Sequence, residues 1–176
     1  AMTASQLQNL GTAQMAVLSS AQAAAIETAD LVTMSADQVQ ALSLSAVSGL
    51  TTTQVNKLTQ EQVAGLKTGQ IRALTTAQVV ALHTSQMQAL TTDQIGALSS
   101  AQMAAMQTED LAKLSAEQIK ALTTGAVSAL TTSQISNLSS DQVSSLTSSQ
   151  IKSLKTGQIA ALTSDQAAEL SADQVA

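Results

Sequence analysis

The only histidine of the chain, His83, carries the side chain best suited to proton transfer at neutral pH and to metal or haem ligation. Each of these roles needs partners, either a nucleophile and an orienting group or further ligands. The neighbouring sequence supplies none, and His83 stands where related segments of the chain carry Ser or Thr. We therefore interpret it as an exposed substitution at a capping position and predict no catalytic residue.

Two other stretches contain residue types that bind ions or phosphate. Glu109 and Asp110 are adjacent carboxylates, but a hard cation needs several converging oxygens, so we interpret them as a solvated helix start. The segment from Gly65 to Gly69 has the glycines and lysine of a phosphate loop at the wrong spacing and is predicted to be a turn. Cysteine is absent, which excludes thiolate metal sites. The sequence predicts no metal site and no cofactor.

All of these residues belong to an eight-residue repeat, which we call the octad. In the example octad 91–98, Thr91, Gln94, Ile95 and Leu98 occupy positions 1, 4, 5 and 8. Position 1 is Ser or Thr in 16 of 22 copies and position 4 is Gln in 18. Position 5 is aliphatic or Met and position 8 is Leu, with few exceptions. Such fixed-period similarity is the signature of a repeat architecture, in which each unit buries its apolar face against other units.

The repeat extends over nearly the whole chain of 176 residues. Residues 3–176 are predicted to be a single repeat array of twenty-one complete octads, ending at Leu170, and one partial octad. Ala1 and Met2 lie outside the pattern, and we interpret them as a cloning remnant. No unrelated domain is predicted.

The residue types within the octad predict one very short helix per repeat. A single continuous helix would turn the Leu side chains by about 80° per octad, so no one face could bury them. Ser or Thr at position 1 and Gln at position 4 form a capping box, and Leu before the cap with Val or Ile at position 5 forms a hydrophobic staple. Because Ala46 and Ala126 replace Gln, we expect Gln94→Ala to cost less stability than Thr91→Ala.

The charges give an independent indication of helix polarity. Eight of the twelve acidic residues occupy position 3, in the expected first turn, and five of the seven basic residues occupy positions 6 or 7 near the expected end. The predicted fold is an all-α solenoid, a superhelix of very short helices with Leu and Val or Ile inside. A β-solenoid is the alternative, since short repeats rich in Thr, Val and Ile also suit one.

A longer period overlies the octads. The segment 28–31 is similar to 108–111, and 46–48 is similar to 126–128, both eighty residues apart. One hypothesis is a ten-octad duplication. The other is that ten octads complete one superhelical turn, so that equivalent places share substitutions.

The segment 73–79, which reads Ala-Leu-Thr-Thr-Ala-Gln-Val, resembles the arrays of very large surface or secreted proteins of proteobacteria, often described as adhesion or haem-utilisation proteins. The resemblance covers the entire chain. It implies a bacterial protein at the cell surface or outside the cell. A haem ligand is not expected, because His83 is the only His and neither Cys nor Tyr is present.

Composition limits the partners. A net charge of −5 with 11% charged residues argues against nucleic acid, which calls for basic clusters, and no apolar run is long enough to predict membrane insertion. The last core layer has no polar covering repeat, so end-to-end self-association is expected.

The function that these observations predict is structural and non-catalytic. We expect a segment of a long bacterial surface or secreted protein that acts as a spacer or scaffold. The alternative is a solenoid binding module that recognises a protein or glycan through its polar face. A spacer should tolerate the loss of whole octads, whereas a binding module should lose its ligand when one particular stretch is removed.

Overall fold

The computed structural model describes residues 4–175, and within that range it contains 22 short α-helices and no strand. The predicted all-α solenoid of short helices is confirmed, and the β-solenoid alternative is wrong. The interpretation of Ala1 and Met2 as a remnant, and the first residue of the array, lie outside the described residues. The helices are α1 Ala4–Gln8, α2 Thr12–Ala16, α3 Ser20–Ala24, α4 Thr28–Leu31, α5 Ala36–Ala41, α6 Leu44–Gly49, α7 Thr52–Lys57, α8 Gln60–Ala64, α9 Thr68–Ala73, α10 Thr76–Ala81, α11 Thr84–Ala89, α12 Thr92–Ala97, α13 Ser100–Ala105, α14 Thr108–Leu111, α15 Ala116–Lys120, α16 Thr124–Ala129, α17 Thr132–Ser136, α18 Ser140–Ser144, α19 Ser148–Lys152, α20 Thr156–Ala160, α21 Ser164–Ala168 and α22 Ala172–Val175.

Each octad contributes one helix, which starts directly after position 1 and ends before position 8. The residue at position 1 is extended, as at Thr91 with φ −71° and ψ 162°. Position 8 leaves the helix with an extended backbone, as at Leu98 with φ −61° and ψ 132°. No residue of the described chain has a positive φ. The helices therefore end without the left-handed cap that commonly closes longer helices.

The chain forms two compact units, Ala1–Leu90 and Thr91–Ala176. In the first unit, helices pack against the third helix along, for example α3 on α6 and α7 on α10. The second unit follows the same rule, for example α13 on α16 and α15 on α18. The octad is thus the helical unit, and the packing partner lies three octads away.

The length of one superhelical turn follows from the hydrogen bonds between turns. These bonds join residues 25 to 31 apart, as in Gln40 to Gly65 and Gln38 to Leu7. In each unit, one turn therefore takes about 28 residues, or three and a half octads. Within each unit, the hypothesis of ten octads per turn is therefore wrong.

The interior of each unit has three side-chain rows. Positions 5 and 8 are buried in most octads, as predicted, with Ile95 0% and Leu98 3% exposed. The third row was not predicted: from Gln38 to Gln174, the Gln residues at position 4 are buried as well. A buried primary amide requires hydrogen-bond partners, and every buried side-chain nitrogen or oxygen of the described residues has one.

Helix α6, which has Ala46 at position 4 in place of Gln, contacts α3 closely through Gly49 and Ser20. A Cβ added to Gly49 would lie 2.5 Å from the Cβ and 2.7 Å from the Cα of Ser20. Such a distance requires movement of the backbone, so glycine permits this approach. The octad that contains Ala46 thus replaces the amide contact by direct helix packing.

The variant Gly49→Ala is expected to lower the free energy of unfolding by about 1 to 3 kcal/mol, because overpacking forces the two helices apart. Gly69→Ala is the matched control, since its added Cβ would meet only Leu44 Cδ2 at 3.7 Å, an ordinary contact. There the gain in helix propensity should stabilise the chain by about 0.5 to 1 kcal/mol. Urea denaturation followed by circular dichroism measures both, and equal shifts of the two midpoints would contradict the close approach.

Candidate functional site

The predicted capping box is present in the example octad. The N–H of Gln94 donates to Thr91 Oγ1 at 3.3 Å, and the N–H of Thr91 donates to Gln94 Oε1 at 2.8 Å. Thr91 is exposed, whereas Gln94, Ile95 and Leu98 are buried. The four repeat positions therefore divide into one exposed cap and three core residues.

The same arrangement recurs along both units. Thirteen helices have both bonds of the box. Where Gly11, Lys67 or Lys155 stands at position 1, only the bond to the Gln side chain is present, at 2.8 to 2.9 Å. The Gln contribution is thus more constant than that of the capping residue.

Removal of one cap has a moderate expected effect. Thr91→Ala leaves the N–H of Gln94 without its side-chain acceptor and is expected to cost about 1 kcal/mol. Thr92→Ala, one residue into the helix, is the control and should be neutral or slightly stabilising, because Ala is the better helix former. The free energies of unfolding of the two variants test this, and an equal loss in both would argue against the capping box.

The other end of the Gln side chain has a second function that local sequence does not reveal. In the first unit, Gln54 accepts from the N–H of Thr51 through Oε1 at 2.7 Å. Its Nε2 donates to the carbonyls of Ala23 at 2.9 Å and Ile26 at 2.7 Å. These acceptors occupy positions 5 and 8 of the octad four copies earlier. One amide therefore joins the start of its own helix to the end of a helix one turn away.

The second unit repeats this geometry. Gln134 accepts from the N–H of Thr131 at 2.7 Å and donates to the carbonyls of Met103 at 2.9 Å and Met106 at 2.8 Å. The last carbonyls of a helix lack the regular N–H donor of the next turn. The Met103 carbonyl accepts only the N–H of Met106 locally, at 3.2 Å. The Gln amide supplies this donor, so it acts as a C-cap between turns. We call this recurring set of contacts the glutamine ladder.

The sequence contains one signal for the ladder. A capping box accepts Glu as well as Gln at its fourth position, and the helix dipole favours Glu. No octad has Glu there, although Glu61, Glu109 and Glu117 occupy position 3. The preference for Gln over Glu in 18 of 22 copies indicates a side chain that donates a hydrogen bond as well as accepting one, although Asp30 and Asp110 occupy this position in two copies.

The ladder changes the expected cost of losing a glutamine. Gln94 is 2% exposed, so its replacement by Ala empties a buried site rather than an exposed capping position. Ala46 and Ala126 do not show that the site is dispensable. At Ala46 close helix packing takes its place, and the octad of Ala126 has a direct bond from Ser100 Oγ to the Gly125 carbonyl at 2.9 Å.

The residues first considered for chemistry lie at helix starts and turns or in the core. His83 is exposed and caps α11, with its Nδ1 accepting from the N–H of Gln86 at 3.4 Å, as the interpretation of a capping substitution requires. Gly65 lies in the turn between α8 and α9. Asp110, however, is buried at position 4 of the octad 107–114. The interpretation of the pair as a solvated helix start therefore holds only for Glu109. Among the described side chains, no three His, Asp or Glu residues lie close enough together to hold one metal ion.

One surface feature of the second unit concerns charge. Asp93, Glu117, Asp141 and Asp165 are exposed at position 3 of every third octad. Their helices, α12, α15, α18 and α21, pack consecutively against one another. The four carboxylates therefore follow one another on successive turns, and we call them the acidic row.

Comparison with known proteins follows the octad pattern. A family model described as the ALTTAQ repeat matches five stretches that together cover residues 23–156, namely 23–60, 61–92, 80–108, 103–140 and 129–156. No curated protein matches the chain. Among residues 4–175, none of the helices has the length and apolarity that a membrane crossing requires.

Proposed function

Because this chain belongs to the ALTTAQ repeat family, we propose that it is a structural, non-catalytic segment that acts as a spacer or scaffold. The observation that supports this proposal is the glutamine ladder. Apart from Asp110, the buried polar side chains of the described residues are amides, and they bond to backbone groups, as at Gln54 and Gln134. Most octads therefore use a buried amide to hold the preceding turn in place.

The ladder also suits a chain whose length varies. A given Gln recognises only backbone carbonyls, and every octad offers these at positions 5 and 8. An octad can therefore occupy any place in the array without a change of its contacts. We propose that the parent protein is a long bacterial surface or secreted protein, as the resemblance of the segment 73–79 implies.

Deletion of whole and partial octads tests the spacer function. Removal of residues 131–138, one octad of the second unit, should leave the helical circular dichroism per residue unchanged and shift the urea midpoint little. Removal of residues 131–134 is the control. It breaks the period for the Gln residues that bond across the deleted segment, which are Gln142, Gln150 and Gln158. These three lose their carbonyl partners, and the midpoint should fall strongly. A similar loss of stability in both deletions would contradict a modular spacer.

A second candidate function, recognition of a protein through the polar face, is favoured by the acidic row. Deletion of residues 131–138 distinguishes the two functions, because it places Glu117 and Asp141 two octads apart instead of three. A spacer retains its behaviour after this change. A binding module that uses the row loses affinity for its ligand, which titration of a cationic peptide such as oligolysine measures.

A further inference from the structure

The glutamine ladder connects each turn to the turn before it through separate, regularly spaced contacts. In the first unit, the Nε2 of Gln62 donates to the carbonyls of Leu31 at 2.9 Å and Met34 at 2.8 Å. In the second unit, the Nε2 of Gln158 donates to the carbonyl of Leu130 at 2.8 Å. These amides recur in steps of eight residues along the chain, and most octads have one. Two successive turns are therefore held together octad by octad.

The other contacts between turns span a similar distance along the chain. In the first unit, the Nε2 of Gln40 donates to the carbonyl of Gly65 at 2.7 Å. In the second unit, the Oγ of Ser148 donates to the carbonyl of Asp173 at 2.8 Å. Both bonds join residues 25 apart, and the helices of each unit pack against the third helix along. The contacts that hold an octad in its unit thus come from the adjacent turns.

A single octad is too short to keep its helix without these contacts. The helices are four to six residues long, and isolated helices below about 12 to 15 residues are only marginally stable in water. An octad that leaves its turn therefore becomes extended chain. A helix of five residues is about 8 Å long, whereas eight extended residues span about 26 to 29 Å. Each released octad lengthens the protein.

The octads bury nearly the same groups, so each needs similar work for its release. At position 5, Val63 of the first unit and Val143 of the second are both 0% exposed. At position 8, Leu58 and Leu146 are 3% and 4% exposed. In such an array, the stability is approximately a sum of repeat terms and nearest-neighbour terms. No single octad therefore closes the fold, and release of one leaves most others in place.

We propose that each unit lengthens reversibly under tension, with octads leaving the superhelix one after another. Each release breaks one glutamine contact to the preceding turn and unfolds one short helix. A released octad returns to a turn that is still folded, and such contacts form fast because they are local in sequence. The proposal rests on the proposed function, because a spacer is stretched between the structures that it connects. Its length then adjusts to the force between them.

Force spectroscopy of the full chain, held in optical tweezers by tags added at its two termini, tests the proposal. The length should increase in steps no longer than one turn of about 28 residues, which is about 90 to 100 Å of extended chain. At low pulling speed, the stretching and relaxation curves should coincide. A unit of about 90 residues that opens all at once releases about 300 Å in one event.

The variant Gln134→Glu tests whether each contact acts locally. It removes the donor to the carbonyls of Met103 and Met106, so the force should fall over part of the extension and stay unchanged over the rest. Thr131→Ala is a milder change in the same octad, since it removes only the hydroxyl that accepts from the N–H of Gln134 at 3.1 Å. Ser133→Glu, at an exposed position of the same helix, is the control and should leave the curve unchanged.

The proposal is overturned if a whole unit opens in one event, or if the chain does not shorten again when the force is relaxed. It is equally overturned if Gln134→Glu and Thr131→Ala lower the force over the entire extension, which indicates cooperative opening. These outcomes are distinct from failure of the spacer function. A chain that tolerates deletion of residues 131–138 but opens in one event is a rigid spacer, whereas intolerance of that deletion contradicts the spacer function whatever the force curve.

Discussion

The variant Gln134→Glu is expected to lower the free energy of unfolding at neutral pH by about 3 to 5 kcal/mol. Its Oε1 can still accept from the N–H of Thr131, so the capping box remains. The second carboxylate oxygen, however, replaces a donor that now lies 2.9 Å from the Met103 carbonyl and 2.8 Å from the Met106 carbonyl. The Met106 carbonyl loses the Gln134 donor, and the Met103 carbonyl keeps only the N–H of Met106 at 3.2 Å. A charge is also placed where the native side chain is 2% exposed. Urea denaturation followed by circular dichroism measures the loss.

The pH dependence of this variant identifies the cause. Burial raises the pKa of the introduced carboxyl above the value of about 4.3 in the unfolded chain, because it disfavours the charged form. The folded state then binds more protons, so the deficit is largest above the raised pKa and shrinks as the pH falls towards about 4.3. The protonated carboxyl can also donate to a carbonyl. A deficit that does not change with pH would exclude this explanation.

Ser133→Glu is the matched control for Gln134→Glu. It adds the same side chain one residue earlier in the same helix, at an exposed position where other octads carry acids. Its charge lies in the first turn, where the helix dipole favours it by about 0.3 to 1 kcal/mol. Destabilisation by Ser133→Glu comparable to that of Gln134→Glu would show that any added acid harms the array.

The second large effect is expected for Ile135→Ala, which should cost about 3 to 4 kcal/mol. Ile135 is 1% exposed at position 5, so its removal leaves a cavity between helices that are already packed. Ile159→Ala changes the same residue type at the same octad position, but there the side chain is 45% exposed. This control should lose about 1 kcal/mol, since half of the apolar surface is already in contact with water.

The midpoints of urea denaturation of the two Ile variants provide the comparison. A ratio of about three between their losses of free energy is expected, because burial differs while the octad position does not. Equal losses would show that position within the octad determines stability and that position within the unit does not.

Local features of the fold could be predicted from the sequence because they depend on neighbouring residues. The capping box joins residues three apart, as Thr91 and Gln94, and the apolar positions 5 and 8 repeat without reference to the rest of the chain. The number of octads per turn could not be predicted, because it depends on the angle at which one short helix follows the next. That angle is set by packing between residues about 28 apart.

The second function of Gln depended on this missing number. Without the turn length, no sequence pattern connects Gln54 to the carbonyls of Ala23 and Ile26, since backbone carbonyls are the same in every residue. For the same reason Asp110 was expected to be solvated, although position 4 is a core position. The absence of Glu from position 4 is a sequence signal for the donor role of Gln. It can be interpreted only when the contact between turns is known.

Residues eighty apart also share local structure. Helices α4 and α14 are both four residues long, and each carries an Asp at position 4 and lacks a side-chain cap. Both helices thus carry the same substitution at the same octad position, as the hypothesis of a ten-octad duplication expects.

The turn of three and a half octads has a consequence for how such genes change in length. Because a turn is not a whole number of octads, an octad is not aligned with an octad of the next turn. An inserted octad therefore disturbs no fixed alignment between turns. Unequal crossing-over that adds or removes eight codons, or any multiple of eight, brings each Gln within one turn after the junction to new carbonyls that are chemically the same as the old ones. A change of any other number of codons breaks the contacts that span the junction. Selection on the folded protein therefore permits recombination in whole octads, and the gene can gain or lose length in these steps without a loss of fold.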